Sequence, residues 1–324
     1  MLAYHEQQPE VTLEMIREAA QRIAPIIRRT PVMTSAGFDT EAGISTLFKC
    51  ENLQRGGAFK VRGASNLVFS IPKAGLPRGV IAFSSGNHAQ GTALAARFVG
   101  AKATIVMPAD APRSKLEATR GMGASVVTYN RATENREEIA QRLLRETGAT
   151  MVPPFDHPLI IAGQGTAALE LLEEAPDLDA LITPVGGGGL LSGCATAAKS
   201  VNAQIRVFGA EPELANDTHL SFRAGRIVTI PLQDTIADGL RSPHPGEITF
   251  PIVQRLVEDI ILVSEDEIKA AMRYLLARLK ILVEPSGAAA AAAVLFRKLP
   301  HGIGRVGVVI SGGNVDLEAL ARYL

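Results

Sequence analysis

The chain has 324 residues and equal numbers of basic and acidic side chains, 33 of each, so its formal net charge is zero. A neutral chain gives no electrostatic reason to expect nucleic acid or an anionic membrane as a partner. Hydrophobic residues make up 47% and charged residues 20%, a balance that is typical of globular proteins and argues against extensive disorder. The composition therefore favours a folded protein with a small-molecule partner.

No segment has the pattern of a targeting signal or a membrane span. The first ten residues, MLAYHEQQPE, lack the basic start and apolar run of a secretion signal, and the alanine-rich run at 286–296 is too short to cross a bilayer. Cys50 and Cys194 cannot form a disulfide framework and have no metal-ligand spacing, so we expect buried, reduced thiols. These features predict a cytoplasmic protein.

The predicted elements begin with a helix over residues 12–29, which Pro31 would stop. The apolar side chains that share one face of this helix are Ile16, Ala19, Ile23, Ile26 and Ile27. Short β-branched runs follow and predict buried strands that begin near residues 80, 103, 125, 180, 205 and 305. Helical patterns separate several of these runs, among them EIKAAMRYLLARLK at 267–280, where Ser264 and Glu267 form a capping-box signature.

Alternating helices and buried strands predict an α/β fold in which helices cover parallel sheets. No repeat or low-complexity linker marks a domain boundary. We predict a small α/β domain at residues 79–152, inserted into a large domain formed by residues 1–78 and 153–324. Ligands of such folds bind at the carboxyl ends of strands, so the loops after the predicted strands are the candidate site.

The most informative of these loops is VGGGGLLSG at 185–193, between a predicted strand and a helix. Glycines let the backbone approach an anion, and the free N–H groups of a helix start can hold a phosphate, so we predict phosphate binding rather than a flexible connection. A dinucleotide site is the alternative. Its G-x-G-x-x-G spacing fails at Leu191 or Ser192, but Glu211 ends the next strand, where a ribose-binding acid would lie.

Three other loops at strand ends carry polar side chains. SSGNHAQG at 84–91 offers hydroxyl and backbone donors to a carboxylate, although an N-capping Ser or Asn would explain part of it. Ser311 directly follows the last strand, where a helix cap is the usual explanation. Glu211 and Asp217, in one loop, could bind a hard cation through oxygen atoms, although two loop acids are usually only solvated.

The segment GGAFKVRGA at 56–64 sets Lys60 behind two glycines and Phe59. A lysine alone is most often a solvated surface charge. Together with the loops at 84–91 and 185–193, VEPSGAA at 283–289 and SGGNVD at 311–316, however, this segment resembles the fold-type II pyridoxal-phosphate enzymes, in the branch of the serine/threonine dehydratases and serine racemases. The resemblance spans nearly the whole chain and implies an α/β fold of two parallel-sheet domains, similar to the tryptophan synthase β subunit.

The resemblance implies a role for each residue at the cofactor, pyridoxal 5'-phosphate. Lys60 would form the Schiff base, which needs a neutral amine that a desolvated site favours, and Phe59 would pack nearby. The phosphate would lie against Gly186, Gly187, Gly188, Gly189 and Leu190. Asn87 would bond to the ring hydroxyl and Ser311 to the pyridine nitrogen. A neutral hydroxyl there makes the ring a weaker electron sink than a carboxylate would, which suits elimination.

The resemblance also implies the catalytic, substrate and metal residues. Lys60 would remove the α-proton, and Ser85, on the opposite face of the cofactor, would be the second acid/base of a racemase side activity. The substrate would contact Ser84, Ser85, Asn87, His88, Arg136 and Ser242. Arg136, which would otherwise be solvated beside Glu134 and Glu137, could hold a second substrate carboxylate. Mg²⁺ or Ca²⁺ would bind the side chains of Glu211 and Asp217 and the carbonyl of Ala215.

The function implied by the resemblance is that of an ammonia-lyase, a homodimer, which converts L-threonine, L-serine or threo-3-hydroxyaspartate to a 2-oxo acid. The alternatives are a plain catabolic threonine/serine dehydratase, a dinucleotide-dependent oxidoreductase, and an inactive binding protein on the same scaffold. We expect no isoleucine feedback, because no room for a regulatory domain follows the last predicted βα unit. The loop at 84–91 differs from the TSGNTG type of cysteine synthases, which argues against a reaction with sulfide.

Overall fold

The computed structural model describes residues 10–84, 86–111, 113–130 and 132–324, and within them the chain forms ten β-strands and thirteen α-helices. The strands are β1 (Val32–Thr34), β2 (Ser45–Cys50), β3 (Val80–Phe83), β4 (Ala103–Pro108), β5 (Ser125–Tyr129), β6 (Thr150–Met151), β7 (Ala180–Pro184), β8 (Arg206–Pro212), β9 (Asp259–Val263) and β10 (Arg305–Ile310). The helices are α1 (Leu13–Ile23), α2 (Ala36–Ala42), α3 (Lys60–Ser70), α4 (Asn87–Phe98), α5 (Arg113–Gly121), α6 (Arg136–Thr147), α7 (Pro158–Glu174), α8 (Gly189–Val201), α9 (Asp217–Ala224), α10 (Thr249–Leu256), α11 (Glu265–Tyr274), α12 (Pro285–Leu295) and α13 (Leu317–Tyr323).

The strands form two sheets. The larger has the order β1-β2-β10-β7-β8-β9, in which β1 pairs antiparallel with β2 and the other neighbours are parallel. The smaller is parallel, with the order β5-β4-β3-β6. The predicted α/β class with two parallel sheets is therefore confirmed, and all six predicted strand runs form strands. The strands of the smaller sheet lie within the predicted small domain, whose boundaries at 79 and 152 stay a prediction.

Helices cover both faces of the larger sheet. Alternate strand residues belong to two separate clusters of buried side chains: Ile182 packs with α11 and α12, whereas Leu181 packs with α1, α7 and α8. The alanine-rich run forms α12, and its six consecutive alanines, 288–293, are all buried. Among the helices that the structure describes, none has both the length and the apolarity of a membrane span.

One predicted helix start agrees with the structure, whereas one predicted helix end does not. The capping box at Ser264 and Glu267 is present at the start of α11, as predicted. The prediction of a first helix over 12–29 is wrong at its C-terminal end, because α1 stops at Ile23. Pro25 explains the early stop, since its ring clashes with the preceding helical turn and it has no backbone N–H.

The strand order brings three of the predicted loops to one edge of the larger sheet. Since β10, β7 and β8 are parallel neighbours, the residues after them meet at their carboxyl ends. Ser311 follows β10, and Glu211 lies near the end of β8. The loop that contains the four glycines at 186–189, called the glycine loop below, follows β7. Ser84 follows β3 of the smaller sheet.

Candidate active site

Lys60 is the first residue of α3, and the segment before it is held against the loop after β10. The Phe59 N–H donates to the Ser311 carbonyl at 3.0 Å, and Ala58 and Gly312 form an antiparallel bridge. Gly57 has a φ of 71°, and a Cβ there would lie 2.2 Å from Oδ1 of Asn314. Glycine is therefore required for Lys60 to lie beside this loop.

The amine of Lys60 is partly buried, with a backbone carbonyl and an aromatic ring beside it. Its Nζ donates a hydrogen bond to the Pro154 carbonyl at 2.7 Å and lies 5.2 Å from the centroid of the Phe59 ring. Burial lowers the pKa of Lys60 to about 8. A much larger fraction of this amine is therefore neutral near pH 7 than of an ordinary lysine, as a nucleophile or a base requires.

The glycine loop is a close-packed turn that leads into α8. A Cβ at Gly187 would lie 2.4 Å from the Phe155 ring, and one at Gly188, whose φ is 92°, would lie 2.8 Å from Oγ1 of Thr249. A Cβ at Gly189 would lie 2.9 Å from Cβ of Phe155. The loop thus presents bare backbone at the N-terminus of a 13-residue helix, which is a suitable place for a phosphate.

The segment Pro154–Asp156 links Lys60 to the glycine loop. Pro154 accepts from Lys60, Phe155 packs on Gly187 and Gly189, and the Asp156 carboxylate accepts the N–H groups of residues 247–249 at 3.0–3.2 Å. This segment is not among the predicted site residues. The signal that could have identified it is the sequence PPFD between β6 and α7, because two prolines restrict the backbone conformations of a loop.

Asn87 begins α4, and its carboxamide is fixed by two partners, one directly before α12 and one in the loop after β10. Its Nδ2 donates to Oε1 of Glu284 at 2.6 Å, and its Oδ1 accepts from Nδ2 of Asn314 at 2.9 Å. Asn314 also donates to the Gly56 carbonyl, which sets the orientation of both amides. Because an amide has two N–H donors, Asn87 keeps one for a ligand such as a ring hydroxyl.

Glu284 is a site residue that sequence reasoning missed, although it belongs to the VEPSGAA segment that carries part of the family resemblance. The side chain is buried, and burial, the largest cause, raises its pKa to about 8. A Cβ on Gly312 would lie 2.2 Å from its Oε1, so the loop after β10 is built around this carboxyl group. An acid at the start of a helix of buried alanines was the signal that could have identified it.

The other predicted residues of the SSGNHAQG loop are Ser84, Ser85 and His88, and the two that the structure describes have different hydrogen-bond partners. The Ser84 hydroxyl accepts the Gly86 N–H at 3.2 Å, and Ser85 lies outside the described residues. Nε2 of His88 lies 2.8 Å from the Val152 carbonyl, and burial lowers the pKa of His88 to about 3. The imidazole is therefore neutral and offers no positive charge to a substrate carboxylate.

Ser311 and Ser242 lie in two different loops. Ser311 is almost fully buried directly after β10, and its carbonyl accepts from the segment that carries Lys60. The Ser242 hydroxyl donates to the His244 carbonyl at 2.6 Å, within its own loop. The structure thus brings Ser311 beside the Lys60 segment, whereas the hydroxyl of Ser242 is used locally.

Arg136 is the first residue of α6, and its guanidinium lies over an aromatic ring. The Cζ atom is 5.1 Å from the centroid of Phe83, the last residue of β3 and the neighbour of Ser84 in sequence. Glu137 is 3.9 Å away, and 44% of the Arg136 side chain is exposed. The guanidinium therefore lies at the carboxyl end of β3 and remains accessible to a ligand.

Glu211 and Asp217 form a pair of buried carboxyl groups. Glu211 accepts the N–H groups of Thr218 and His219 at 3.0 and 2.8 Å. Burial raises the pKa of Asp217 to about 8, and burial together with the Asp217 charge raises the pKa of Glu211. Both Asp217 oxygens are buried without a hydrogen-bond partner in the described part of the chain, an arrangement that a hard cation would satisfy.

The cation candidate has two side-chain ligands. Among the described residues no group of three or more His, Cys, Asp or Glu side chains could hold a metal ion. The Ala215 carbonyl, in the same loop, is the predicted third ligand and Ala215 itself is buried. The Thr218 hydroxyl donates to the Gly186 carbonyl at 3.1 Å, so this loop is tied to the glycine loop.

Comparisons with known proteins identify the family of the chain. A family model described as pyridoxal-phosphate dependent enzyme matches residues 23–312. The L-threo-3-hydroxyaspartate ammonia-lyase of Saccharomyces cerevisiae is 49% identical, and the match covers 95% of each chain. The serine racemase of Schizosaccharomyces pombe is 46% identical over 97% of each chain. The solved structure of maize serine racemase matches with a TM-score of 0.94 and 44% identity, covering 97% of each chain.

These similarities decide between the functional classes that the sequence left open. The dinucleotide alternative is wrong, and Glu211, its candidate ribose-binding acid, is fully buried and bonded to two backbone N–H groups. The alternative of an inactive binding protein is also wrong, because close relatives over the whole length are enzymes. The chain belongs to the family of pyridoxal-phosphate dependent enzymes, in the branch that contains hydroxyaspartate ammonia-lyases and serine racemases.

Proposed function

We propose that the protein is an ammonia-lyase that removes water and ammonia from a β-hydroxy amino acid, with threo-3-hydroxyaspartate as its preferred substrate. The names of two relatives, a hydroxyaspartate ammonia-lyase and a threonine ammonia-lyase, support the reaction class. The observation that supports this choice of substrate is the position of the Arg136 guanidinium. Its Cζ atom lies 5.1 Å from the centroid of the Phe83 ring, and Phe83 directly precedes Ser84.

The residues of the site fit pyridoxal 5'-phosphate at four points. Lys60 offers a buried amine of lowered pKa, and the glycine loop offers backbone N–H groups to the phosphate. Asn87 keeps one amide N–H for the ring hydroxyl, and Ser311 offers a neutral hydroxyl for the pyridine nitrogen. When bound, the cofactor supplies an electron sink for the pair left on the α-carbon of the substrate.

Lys60 is the base of the proposed reaction. As a neutral amine it can donate one N–H to the Pro154 carbonyl and still direct its lone pair at the α-proton of the substrate. The electron pair of the Cα–H bond forms the Cα=Cβ bond, and the proton that Lys60 has taken passes to the β-hydroxyl, which leaves as water. The released enamine then reacts with water to give the 2-oxo acid and ammonia.

Arg136 is the proposed partner of the second carboxylate of the substrate. A planar guanidinium can make two parallel hydrogen bonds to one carboxylate, which the methyl group of threonine cannot use. Stacking on Phe83 restricts the guanidinium before the substrate arrives, so less conformational freedom is lost on binding. Both features favour a dicarboxylic β-hydroxy amino acid.

Replacing Arg136 by alanine should weaken turnover of threo-3-hydroxyaspartate and leave threonine almost unchanged. We expect a loss of about 1.5–3 kcal/mol in transition-state stabilisation for the dicarboxylate. The measurement is kcat/KM for the two substrates, followed by formation of the 2-oxo acid. Arg136→Lys should recover only part of the loss, because an ammonium lacks the fork of donors.

Arg142 provides a matched control on the same helix, since it is 60% exposed and pairs with Glu146 at 3.8 Å. Arg142→Ala should change neither substrate. Equal losses on both substrates in Arg136→Ala would mean that the arginine only supports the fold. If the unaltered protein turns over threonine and serine but not hydroxyaspartate, it is a plain threonine/serine dehydratase, which is the second candidate.

Serine racemisation is proposed as a side activity. Its support is the similarity to serine racemases and the sequence position of Ser85 as the second acid/base. Appearance of D-serine from L-serine, followed on a chiral column, would test it, and its absence at high enzyme concentration would reject it.

We also propose that Mg²⁺ or Ca²⁺ binds Glu211, Asp217 and the Ala215 carbonyl. Three oxygen ligands with two negative charges suit a hard cation, and water would supply the rest of its coordination shell. The cation would cancel the charge of two buried carboxylates and so hold the loop that carries Thr218 against the glycine loop.

Removal of the cation should lower the free energy of unfolding by about 2–3 kcal/mol at saturating metal. A chelator should therefore lower the thermal midpoint, and Asp217→Asn should lower it equally and abolish the effect of the chelator. Without a bound cation, burial keeps the Asp217 carboxyl group mostly neutral near pH 7, with a pKa of about 8, so the same substitution would leave the thermal midpoint almost unchanged. Glu213→Gln, an exposed acid in the same loop, is the control and should behave like the unaltered protein.

The quaternary state and the compartment are proposed to be a homodimer in the cytoplasm. The support for a homodimer is the resemblance of the sequence to the serine/threonine dehydratase and serine racemase branch. Sedimentation at 34.3 kDa instead of twice that mass would reject the dimer. Both cysteines are free and buried, with thiol pKa values that burial raises to about 12, which agrees with a reducing compartment.

A further inference from the structure

Four charged side chains form a buried cluster on the large-domain side of α3. Arg62 donates to both oxygens of Glu51 at 2.8 Å and to both oxygens of Glu170 at 2.8 Å. Lys49 donates to Glu170 and to the Thr30 carbonyl, each at 2.7 Å. Arg62, Lys49 and Glu51 have no exposed surface, and two positive and two negative charges make the cluster neutral.

Such a cluster is a poor way to stabilise a fold. Removing four charges from water costs free energy that their mutual attraction barely offsets, and apolar side chains of similar size often serve stability as well or better. Its value lies in geometry, since an arginine with two bidentate partners has a single orientation. Arg62 is thereby fixed to the turn directly after β2 through Glu51 and to α7 through Glu170.

The locked residue is two positions from Lys60, in the first turn of the same helix. Residues two apart point to nearly opposite sides of a helix, so Arg62 faces the large domain while Lys60 faces the site. The first turn has no side-chain cap, since the N-cap residue Phe59 supplies none. Helix ends without caps fray, so another contact is needed to hold this turn.

A second contact acts on the same turn from the same side. Gly63 lies against α7, where a Cβ would be 2.7 Å from the Ile160 carbonyl and 2.5 Å from Nε2 of Gln164. Glycine thus sets a close distance between α3 and α7, and the arginine before it fixes the rotation of α3 about its axis. This accounts for the sequence Lys60-Val-Arg-Gly as a unit.

We propose that Arg62, held by Glu51 and Glu170, is a positioning residue that fixes the first turn of α3 and with it the amine of Lys60. The inference rests on the proposed role of Lys60 as the residue that joins the cofactor and removes the α-proton. Displacement of a reacting group by 1 Å can lower a rate by about 100-fold. Contacts that fix the position of the Lys60 amine therefore have a direct effect on catalysis.

The test uses Arg62→Lys, which keeps the charge but cannot contact both carboxylates as a fork. We expect amide hydrogen exchange at residues 61–65 to accelerate by about tenfold or more, with and without the cofactor. We also expect faster release of bound pyridoxal phosphate and a smaller fraction joined to Lys60 after borohydride reduction. The kcat should fall by about 10- to 100-fold while KM changes little.

Glu170→Gln is the second variant, in case Arg62→Lys does not fold. It keeps the shape of the side chain and the two hydrogen bonds from Arg62 to Glu51, but it weakens the contact between Arg62 and residue 170. Hydrogen exchange, cofactor retention and kcat should shift in the same direction as in Arg62→Lys, by smaller amounts. Lys298→Met is the matched control, because it removes a part-buried ion pair with Glu267 far from α3 in sequence. It should lower the free energy of unfolding without accelerating amide hydrogen exchange at residues 61–65.

Unchanged exchange at residues 61–65 and unchanged cofactor retention in both variants would overturn the proposal. Shifts of the same size in Lys298→Met would also overturn it, because they would report general destabilisation. These readouts are separate from the proposed function. If the unaltered protein eliminates water from no β-hydroxy amino acid yet retains its cofactor, the lyase proposal fails, while exchange and cofactor release still decide the role of Arg62.

Discussion

Replacing Lys60 by alanine should abolish turnover, by at least about 10⁴-fold in kcat, because one amine serves as both nucleophile and base. The same change should remove covalent attachment of the cofactor, since burial has lowered the pKa of this amine to about 8 and made it reactive. Lys49 is also buried, but its ammonium is paired with Glu170 and cannot substitute. Visible absorbance of the purified protein and 2-oxo acid formation are the measurements.

Lys199→Ala is the control for this change, because Lys199 lies in the last turn of α8 and its exposed amine donates to the carbonyl of Ala203, just beyond the helix. It should leave absorbance and turnover unchanged. Borohydride reduction followed by peptide mapping should place the cofactor on residue 60 of the unaltered protein. Retained turnover with an unchanged spectrum in Lys60→Ala would show that another lysine carries the cofactor.

The fold and the loops of the site could be predicted because their signals are local. Runs such as VIAF and RVGVVI are β-branched and apolar over four to six residues, and both form strands at the predicted positions. Three of the four glycines precede α8 and the fourth, Gly189, is its first residue, so the glycines lie at the helix start as expected. The order of such loops along the chain was enough to predict the edge at which they meet.

The partners of the site residues could not be predicted, because they come from distant segments. Lys60 bonds to Pro154, 94 residues away, and Asn87 bonds to Glu284, 197 residues away. A sequence pattern carries no information on which helix faces which loop, so Glu284 and Phe155 were missed. The partner of His88, which the resemblance places near the substrate, is also distant in sequence: its ring bonds to the Val152 carbonyl, 64 residues away.

Replacing Gly187 by alanine should weaken binding of pyridoxal phosphate by about 10³-fold. The new Cβ would lie 2.4 Å from two atoms of the Phe155 ring, so either the ring or the loop must shift. Overpacking of this kind costs about 1–3 kcal/mol, and each N–H that loses a charged phosphate costs about 1.5–3 kcal/mol. Displacement of Phe155 would also move its neighbour Pro154, which holds the Lys60 amine.

Gly121 offers the matched substitution, because it ends α5 and a Cβ there would meet nothing within 4 Å. Gly121→Ala should leave the cofactor affinity unchanged and at most stabilise the helix slightly. Titration of the cofactor-free protein with pyridoxal phosphate, followed by quenching of tyrosine fluorescence, gives the two dissociation constants. An unchanged affinity in Gly187→Ala, at an unchanged thermal midpoint, would mean that the phosphate is held elsewhere. The combined change Gly187→Ala and Phe155→Leu should recover part of the affinity, because a smaller side chain at 155 makes room for the new methyl group while the Pro154 carbonyl keeps its place beside Lys60.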